Sequence, residues 1–268
     1  MSNDVRVTTK IKLHCANMIV GLDGWGNAGK VSTFTIKYLL DKLGAQSFGE
    51  IPIEFFHNYL IHRPIVSIKE GLIHSYIPPK NALYYWKDET GESCLILLLG
   101  HEPHTNWPRF VEAMLSVAEQ SGVKRIYTIG GYLADPSYAS DSPITSSTNN
   151  EHVVSELKKI RVELTNYTGP TSVYSELLWR AKEKNIDVVS LWSAVPMYVS
   201  GIYPKAAYNI LQKITQLINV KLDLTDLKNK AEAFERQLRR EIAGRSAEGL
   251  IESFRERGSR EKKPTYIL

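Results

Sequence analysis

Two hydrophobic spacings alternate along this chain, one typical of buried strands and the other of amphipathic helices. Residues 11–20 form an apolar run that predicts a strand, and residues 28–43 carry apolar positions at helical spacing. Beyond residue 99 strands and helices continue to alternate up to residue 219. This order predicts an α/β fold, a three-layer α/β/α sandwich with a mostly parallel sheet between two helical layers.

The middle of the chain predicts further strands. Residues 94–99, CLILLL in one-letter code, predict a central strand covered on both faces. Short apolar runs separated by turn residues between 47 and 93 predict an antiparallel extension of the sheet. Later helices are predicted over 106–121, 151–160, 171–184 and 204–219, and later strands over 125–129 and 187–192.

A long amphipathic helix is predicted over 223–242, because apolar residues recur on one side of it. Residues 243–249 loosen this helix, 250–255 predict a further short amphipathic turn, and 258–263 are polar and charged. We therefore expect an α/β domain over 1–220, a C-terminal helical extension over 221–257 and a flexible tail over 258–268.

Composition and charge exclude several classes of partner. Of the 268 residues, 43% are hydrophobic, which is enough for a sizeable core. The net charge of +4 resides in residues 236–268, where nine Lys or Arg accompany five Glu. Since the rest of the chain has no basic face, no nucleic-acid partner is expected. The longest apolar run is far shorter than a bilayer span, so no membrane partner is expected either.

The chain has two cysteines, Cys15 and Cys94, each within an apolar run. This sparse usage predicts neither a disulfide framework nor a cysteine-based metal site. A reducing, intracellular setting fits it better. We expect a cytoplasmic protein.

A glycine-rich stretch follows the first predicted strand and resembles a phosphate-binding loop. Gly24 and Gly29-Lys30 have the spacing G-x-x-x-x-G-K, but Val31 stands where Ser or Thr would bind Mg²⁺. The predicted strand 94–99 ends in Gly100-His101-Glu102, without the aspartate that would hold the metal. Nucleotide hydrolysis is therefore not expected, although the helix N-terminus could still attract an anion.

His101-Glu102-Pro103-His104 places two imidazoles and a carboxylate within four residues. The spacing differs from H-E-x-x-H, and Pro103 opposes the helix that would bring both histidines to one face. We expect no metal and no cofactor here. A loop at the end of a buried strand nevertheless remains a candidate ligand site.

Two more glycine-containing segments are predicted to follow or precede secondary structure in the same way. Gly130-Gly131 follows a strand, and Gly169-Pro170-Thr171-Ser172 precedes a helix. Between them, the polar residues 137–150 predict a long loop, which is a lid, a contact surface or a disordered segment. The glycine turns would converge on one sheet edge and form a crevice lined by Asp23, Gly24, Trp25, Gly26, Asn27, Gly29, Lys30, His101, Glu102, Gly130, Gly131, Gly169, Thr171 and Ser172.

Seven motifs occur in an order that is more specific than any one of them. They are GWGNAGKVS (24–32), GHEP (100–103), GGYLAD (130–135), YTGPTS (167–172), SLWSAVPMYV (190–199), PKAA (204–207) and DLTDLKNKAEAFE (223–235). In these motifs the chain resembles the proteasome assembly chaperone family, of the second-subunit type with archaeal and actinobacterial relatives. The resemblance implies a nucleoside-phosphorylase-like α/β fold, no established catalytic activity and self-association into a homo-oligomer.

The same resemblance implies binding to the α-ring of the 20S proteasome through a C-terminal motif with a penultimate tyrosine. Here Tyr266-Ile267-Leu268 would make that contact, with Tyr266 third from the end after Thr265. One extra residue shifts the ring by about 3.3 Å along an extended peptide. We expect this segment to bind the α-ring or a paralogous family member, and apolar helix surfaces to mediate self-association.

A second interpretation comes from a different functional class. The crevice would then bind a nucleoside or a phosphate-bearing small molecule, either as a binding protein or as an enzyme.

Overall fold

The computed structural model describes residues 4–9, 13–91, 93–135, 141–218 and 220–243. The strands are β1 (Arg6–Val7), β2 (Asn17–Asp23), β3 (Gln46–Ile51), β4 (Ile65–Lys69), β5 (Leu72–Ile77), β6 (Asn81–Lys87), β7 (Cys94–His101), β8 (Arg125–Ala134), β9 (Ile144–Thr148), β10 (Glu163–Leu164) and β11 (Asp187–Pro196). The helices are α1 (Val31–Leu43), α2 (Trp107–Gln120), α3 (Glu151–Lys159), α4 (Val173–Ala181), α5 (Pro204–Ile218) and α6 (Thr225–Ala243).

All described strands except β4 and β5 form one sheet, in the order β1-β3-β6-β7-β2-β8-β11-β9-β10. The central strands β7, β2, β8 and β11 are parallel. Antiparallel pairs join β6 to β7 on one side and β9 to β11 on the other. The predicted α/β class and the antiparallel extension are therefore confirmed, and the parallel part of the sheet lies at its centre.

Helices cover both faces of the central strands, because successive side chains of each strand are apolar and point to opposite faces. On β2, Met18 and Val20 contact the layer that contains α2 and α4. Ile19, between them, contacts the opposite layer, which contains α1, α3 and α5. This arrangement is the predicted three-layer sandwich.

Helix α6, which corresponds to the predicted C-terminal extension, packs against the layer that contains α1 and α5. Its Leu227 and Ala231 are buried there. At its start, Asp226 accepts hydrogen bonds from Tyr38 and Lys42 of α1. The extension thus begins as part of the α/β body, whereas residues 244–268 lie outside the described residues.

The prediction that β8 ends before the glycine pair is wrong. Gly130 and Gly131 lie inside β8, which pairs with β11 along its whole length. A Cβ atom on Gly130 would lie 2.4 Å from the Trp192 ring, and one on Gly131 would lie 2.5 Å from the Ala28 carbonyl oxygen. These glycines therefore permit close packing and do not form a turn.

The polar segment 137–150 also departs from the prediction of a long loop. Its described part contains β9, which pairs antiparallel with β11. Ile144 and Ser146 face inwards and are buried, and their spacing of two is that of a strand. The small serine and threonine side chains hide this alternation in a hydrophobicity profile.

The two cysteines are paired, which the sequence analysis did not predict. Cys15 precedes β2 and Cys94 begins β7, and a disulfide joins them with a Cα–Cα distance of 4.7 Å. Both residues lie in the core below α2, so the bond links two neighbouring parts of the sheet.

No described helix combines the length and the apolar character that crossing a bilayer requires.

Replacing Gly130 by alanine is expected to lower the free energy of unfolding by about 1–3 kcal/mol, because the new methyl group overlaps Trp192. Urea denaturation followed by circular dichroism measures this loss. In a Trp192→Ala background the same substitution should cost less than half as much. Equal costs in the two backgrounds would rule out this contact as the cause.

Candidate functional site

The turn between β2 and α1 is held by a polar network of its own side chains. Asn27 Nδ2 donates to Asp23 Oδ1 at 2.6 Å, and Lys30 Nζ donates to the same oxygen at 3.2 Å. Burial opposes ionisation of Asp23, but the Asn27 hydrogen bond and the Lys30 charge outweigh it and lower the Asp23 pKa. Lys30 thus faces a carboxylate, not an empty anion site.

Backbone N–H groups of this turn also have partners within the turn. Asn27 N donates to Gly24 O at 3.2 Å, and Lys30 N donates to Asn27 O at 3.0 Å. At the start of α1, Thr33 N donates to Asn27 Oδ1. A phosphate-binding loop needs such donors directed at its ligand. The resemblance to such a loop is therefore one of spacing and not of geometry.

Glu102 takes the position that an external anion would occupy at the N-terminus of α4. Its Oε1 accepts a hydrogen bond from Val173 N at 2.8 Å, and its Oε2 accepts one from Trp25 N at 3.0 Å. Gly24 permits this approach, since a Cβ atom there would lie 2.7 Å from the Glu102 Cβ. Burial raises the Glu102 pKa, and the two N–H donors oppose the rise.

Trp192 fills the space beneath the glycine turn. Its ring lies against Gly26 and Gly130, where added Cβ atoms would lie 2.7 and 2.4 Å from ring carbons. Its indole N–H donates to Ser190 Oγ at 2.8 Å, and its edge contacts the half-exposed Trp25. The bulky ring is fixed at both ends and takes up volume that a crevice would need.

The predicted crevice residues are only partly brought together. Asp23, Trp25, Asn27, Lys30 and Glu102 form the contacts described above, and Gly131 N donates to Gly26 O at 2.8 Å. Ser172 is the N-cap of α4, with its Oγ accepting from Tyr174 N. Gly29 adopts a left-handed conformation beside Val195 and Tyr203, and Gly169 and Thr171 contact Tyr167 and Ser175 next to them.

His101 belongs to a different group, a histidine cluster that consists of His57, His62, His101 and His104. The ring centroid of His62 lies 4.8 Å from the ring centroid of His101 and 4.8 Å from that of His104. His57 lies 5.2 Å from His104 and 6.2 Å from His101. Four of the seven histidines of the chain thus meet between the end of β7 and the segment that follows β3.

The pKa values of three members of the histidine cluster are lowered. Burial and then the nearby imidazoles lower the His57 pKa to about 3. Burial also lowers the pKa of His101 and of His104. Metals bind the neutral form of imidazole, and His57, His62 and His104 are the described residues that could hold a metal ion together.

Beyond the cluster, β4 and β5 form a separate two-stranded hairpin, here named the apolar arm (residues 65–77). Glu70 and Gly71 both have positive φ at its tip, as a tight two-residue hairpin turn requires. Neighbouring residues on both of its faces are exposed. The exposed apolar side chains are Ile65, Val66, Ile68, Leu72, Ile73, Tyr76 and Ile77.

Sequence reasoning missed His57, His62, Trp192 and the apolar arm as parts of functional surfaces. The pair His57 and His62 is separated by five positions. This spacing has no meaning until the segment after β3 is placed against the segment after β7. The arm was detectable as two runs, IVSIK and LIHSYI, around Glu70-Gly71. Its exposure was not, because apolar strands are usually buried.

Replacing Glu102 by glutamine is expected to cost about 1–3 kcal/mol of stability, because its amide N–H₂ would face one of the two buried N–H donors. Chemical denaturation measures the loss. Glu89→Gln, at an exposed turn, is the matched control and should change stability by less than about 0.5 kcal/mol. Similar effects of both substitutions would contradict the capping role of Glu102.

Comparison with known proteins places this geometry in a family. The family model described as the PAC2 family matches residues 21–242. No curated protein matches the chain.

Several solved structures share the fold. A proteasome-assembly chaperone homologue from Mycobacterium tuberculosis is 25% identical, with a TM-score of 0.78 over 86% of this chain and 97% of that chain. A PAC2 family protein from Streptomyces avermitilis is 26% identical, with a TM-score of 0.74 over 84% and 94% of the two chains.

Pyrococcus furiosus PbaB, an archaeal proteasome activator, is 22% identical and has a TM-score of 0.69 over 88% and 97% of the two chains. The resemblance to proteasome assembly chaperones is confirmed by these likenesses together with the family match. Since that match extends from the end of β2 to the end of α6, the chain belongs to the PAC2 family.

Proposed function

We propose that this protein is a non-enzymatic factor in proteasome assembly that self-associates and binds the 20S α-ring or a paralogous family member. Family membership supports the assembly role, as do the names of its relatives, which include a proteasome-assembly chaperone homologue. The apolar arm is the main structural support for the proposed mode of action, which is contact between proteins.

Contacts within the apolar arm alone do not explain its stability in water. A hairpin of two strands is marginal unless a further strand or a packed surface covers it. Here Leu72 and Ile73 at the tip are 75% and 73% exposed, and Ile65 at the base is 69% exposed. A contiguous apolar surface of this kind is typical of a protein interface.

We assign a second copy of this chain as the partner that covers the apolar arm. Within the described residues β4 pairs only with β5, so each strand keeps one edge free for a strand of another arm. Pairing of β4 with the β4 strand of a second copy around a twofold axis would use the same edge of each arm. The single charged residue of β4 is Lys69 at the tip, so charge repulsion along that edge is small.

The arm therefore replaces the helices as the proposed self-association surface. Most of the large exposed apolar side chains lie between residues 55 and 77, and among the helices the notable exception is Trp179 on α4. We expect the contribution of Trp179 to self-association to be minor.

The same geometry argues against the small-molecule interpretation. Glu102 neutralises the N-terminus of α4, and Trp192 fills the space below the glycines. A phosphate-bearing ligand would have to displace a carboxylate that already accepts two N–H groups. The polar groups of the turn thus stabilise the body from which the arm projects.

Contact with the α-ring is assigned to Tyr266, Ile267 and Leu268, which lie outside the described residues. An apolar triplet after the charged residues 258–263 has the composition of an extended peptide that binds in a pocket. This assignment is independent of the apolar arm, so the two are tested separately.

Ile73→Glu is expected to shift the protein toward the monomer, raising the self-association Kd at least tenfold, since it buries a charge in the arm interface. Sedimentation velocity over a concentration series measures this shift. Trp179→Glu introduces the same charge at the exposed helix residue and should leave association unchanged. Dissociation by Trp179→Glu alone would overturn the arm assignment and favour the helices.

Tyr266→Ala is expected to weaken binding to isolated 20S α-rings at least tenfold, because the aromatic anchor is lost. Co-sedimentation with the rings gives the affinity, and Thr265→Ala is the matched control. Unchanged binding by the Tyr266 variant would refute the role of this segment. Absence of ring binding by the wild-type protein would refute the α-ring proposal itself.

A further inference from the structure

The histidine cluster has a precise architecture that the proposed function leaves unexplained. Its members come from two segments: His57 and His62 follow β3, whereas His101 ends β7 and His104 follows it. Backbone hydrogen bonds join these segments, with His104 N donating to Phe56 O at 2.8 Å. The imidazoles are therefore brought together by the fold and not by their spacing in sequence.

Asn81, fully buried at the start of β6, fixes the orientation of the cluster from below. Its Oδ1 accepts the backbone N–H of His101 at 2.8 Å, so its Nδ2 is the group directed at His57 Nε2, 3.2 Å away. Gly100 leaves room for this side chain, since a Cβ atom there would lie 2.2 Å from Asn81 Oδ1. Asn81 thus positions the His57 ring through a hydrogen bond that Nε2 accepts.

Several ring nitrogens in the cluster have no partner. The Nδ1 atoms of His57, His62 and His101 are buried and make no hydrogen bond. A buried polar atom without a partner costs about 1–3 kcal/mol. Three such atoms within one cluster indicate that an additional group satisfies them when it is bound.

We propose that the histidine cluster binds one divalent transition-metal ion of the zinc type, with His57, His62 and His104 as ligands and His101 as the adjacent fourth imidazole. One ring nitrogen from each of the three ligands lies within 4.8 Å of the others. Nitrogens around a tetrahedral zinc ion are separated by about 3.3 Å, given Zn–N bonds of about 2.0–2.1 Å. Closing this difference requires shifts of about an ångström, which the half-buried His62 is placed to make.

The ligand atoms of the cluster determine which metal ions it favours. Imidazole nitrogens favour Zn²⁺, Co²⁺, Ni²⁺ and Cu²⁺, whereas Mg²⁺ and Ca²⁺ require oxygen ligands. Asp23 and Lys30, which form an ion pair with each other, act on His101 with opposite charges. The choice of ion therefore depends on the imidazole ligands.

Two existing hydrogen bonds are in competition with the metal. Asn58 N donates to His104 Nδ1 at 2.9 Å, and Asn81 holds His57 Nε2. Since the accepting nitrogen of each neutral ring carries its free lone pair, metal binding there exchanges this hydrogen bond for a metal bond. His62 makes no such hydrogen bond among the described residues, which makes it the ligand to substitute.

A bound ion would attach the segment 57–62 to the end of β7. This segment leads directly into the apolar arm, which otherwise projects from the sheet. The ion would therefore restrict the direction of the arm relative to the body. The binding itself does not depend on self-association.

The test uses the full-length protein, stripped with a chelator and then dialysed against Zn²⁺ alone. We expect about one zinc per chain by elemental analysis and a raised melting temperature, with no effect of Mg²⁺ at the same concentration. Substitution of Zn²⁺ by Co²⁺ should give the visible absorption of a low-coordinate site. Absence of zinc binding by the folded wild-type protein would overturn the proposal.

Variants identify the ligands. His62→Gln is expected to weaken zinc binding at least tenfold, and His104→Gln provides a second, independent variant, with circular dichroism confirming the fold of both. His152→Gln, at an exposed position of α3, is the matched control and should bind zinc like the wild type. Retention of wild-type affinity in both cluster variants, or loss of it in the control, would place the metal elsewhere and refute the assignment.

Discussion

The body of this protein depends on one steric constraint, the contact of the first turn of α1 with the backbone of two strands. A Cβ atom on Gly21 of β2 would lie 2.6 Å from the Ser32 carbonyl oxygen, and one on Gly131 of β8 would lie 2.5 Å from that of Ala28. At both glycines a main-chain carbonyl therefore lies close to the strand backbone, beside the Ile36 and Val31 side chains. The turn that precedes α1 is consequently fixed against β8, and this position allows Trp192 to lie beneath it.

The same constraint explains why the glycine-rich turn before α1, which has the spacing of a nucleotide-binding loop, has a structural role instead. Asn27 N and Lys30 N donate to carbonyl oxygens within the turn, and Trp25 N donates to Glu102. The polar residues at the carboxyl ends of β2 and β7 therefore stabilise the body. The surfaces left for function lie beyond it, on the apolar arm and at the histidines beside it. A rigid, internally satisfied body with an exposed apolar extension suits a protein that acts by binding other proteins.

Periodicity in the sequence predicted the layers of this fold, because burial on both faces of β2 and β7 leaves a direct hydrophobic signal. Periodicity gave a wrong prediction where one residue type has two structural uses, as glycine does in turns and in close packing. Glycine at 130 was interpreted as a turn, but it accommodates Trp192, which lies 62 positions later and can only be placed once β8 and β11 are paired. Strand β9 was hidden for a related reason, since Ser146 is small enough to be buried. Of the site, the contacts near Asp23 were predictable from adjacency, whereas His57 reaches His104 only through tertiary structure.

The end of β7 carries two consecutive side chains that belong to separate groups. His101 contacts the histidine cluster, while Glu102 holds the N-terminus of α4 and the turn at Trp25. A shift of one of these residues moves the backbone of the other. Any ligand that alters the position of His101 would therefore alter the stability of the α4 terminus, and the free energy of this coupling is the same in both directions. Through the peptide bond between these two residues, a ligand at the histidine cluster would affect the N-terminus of α4.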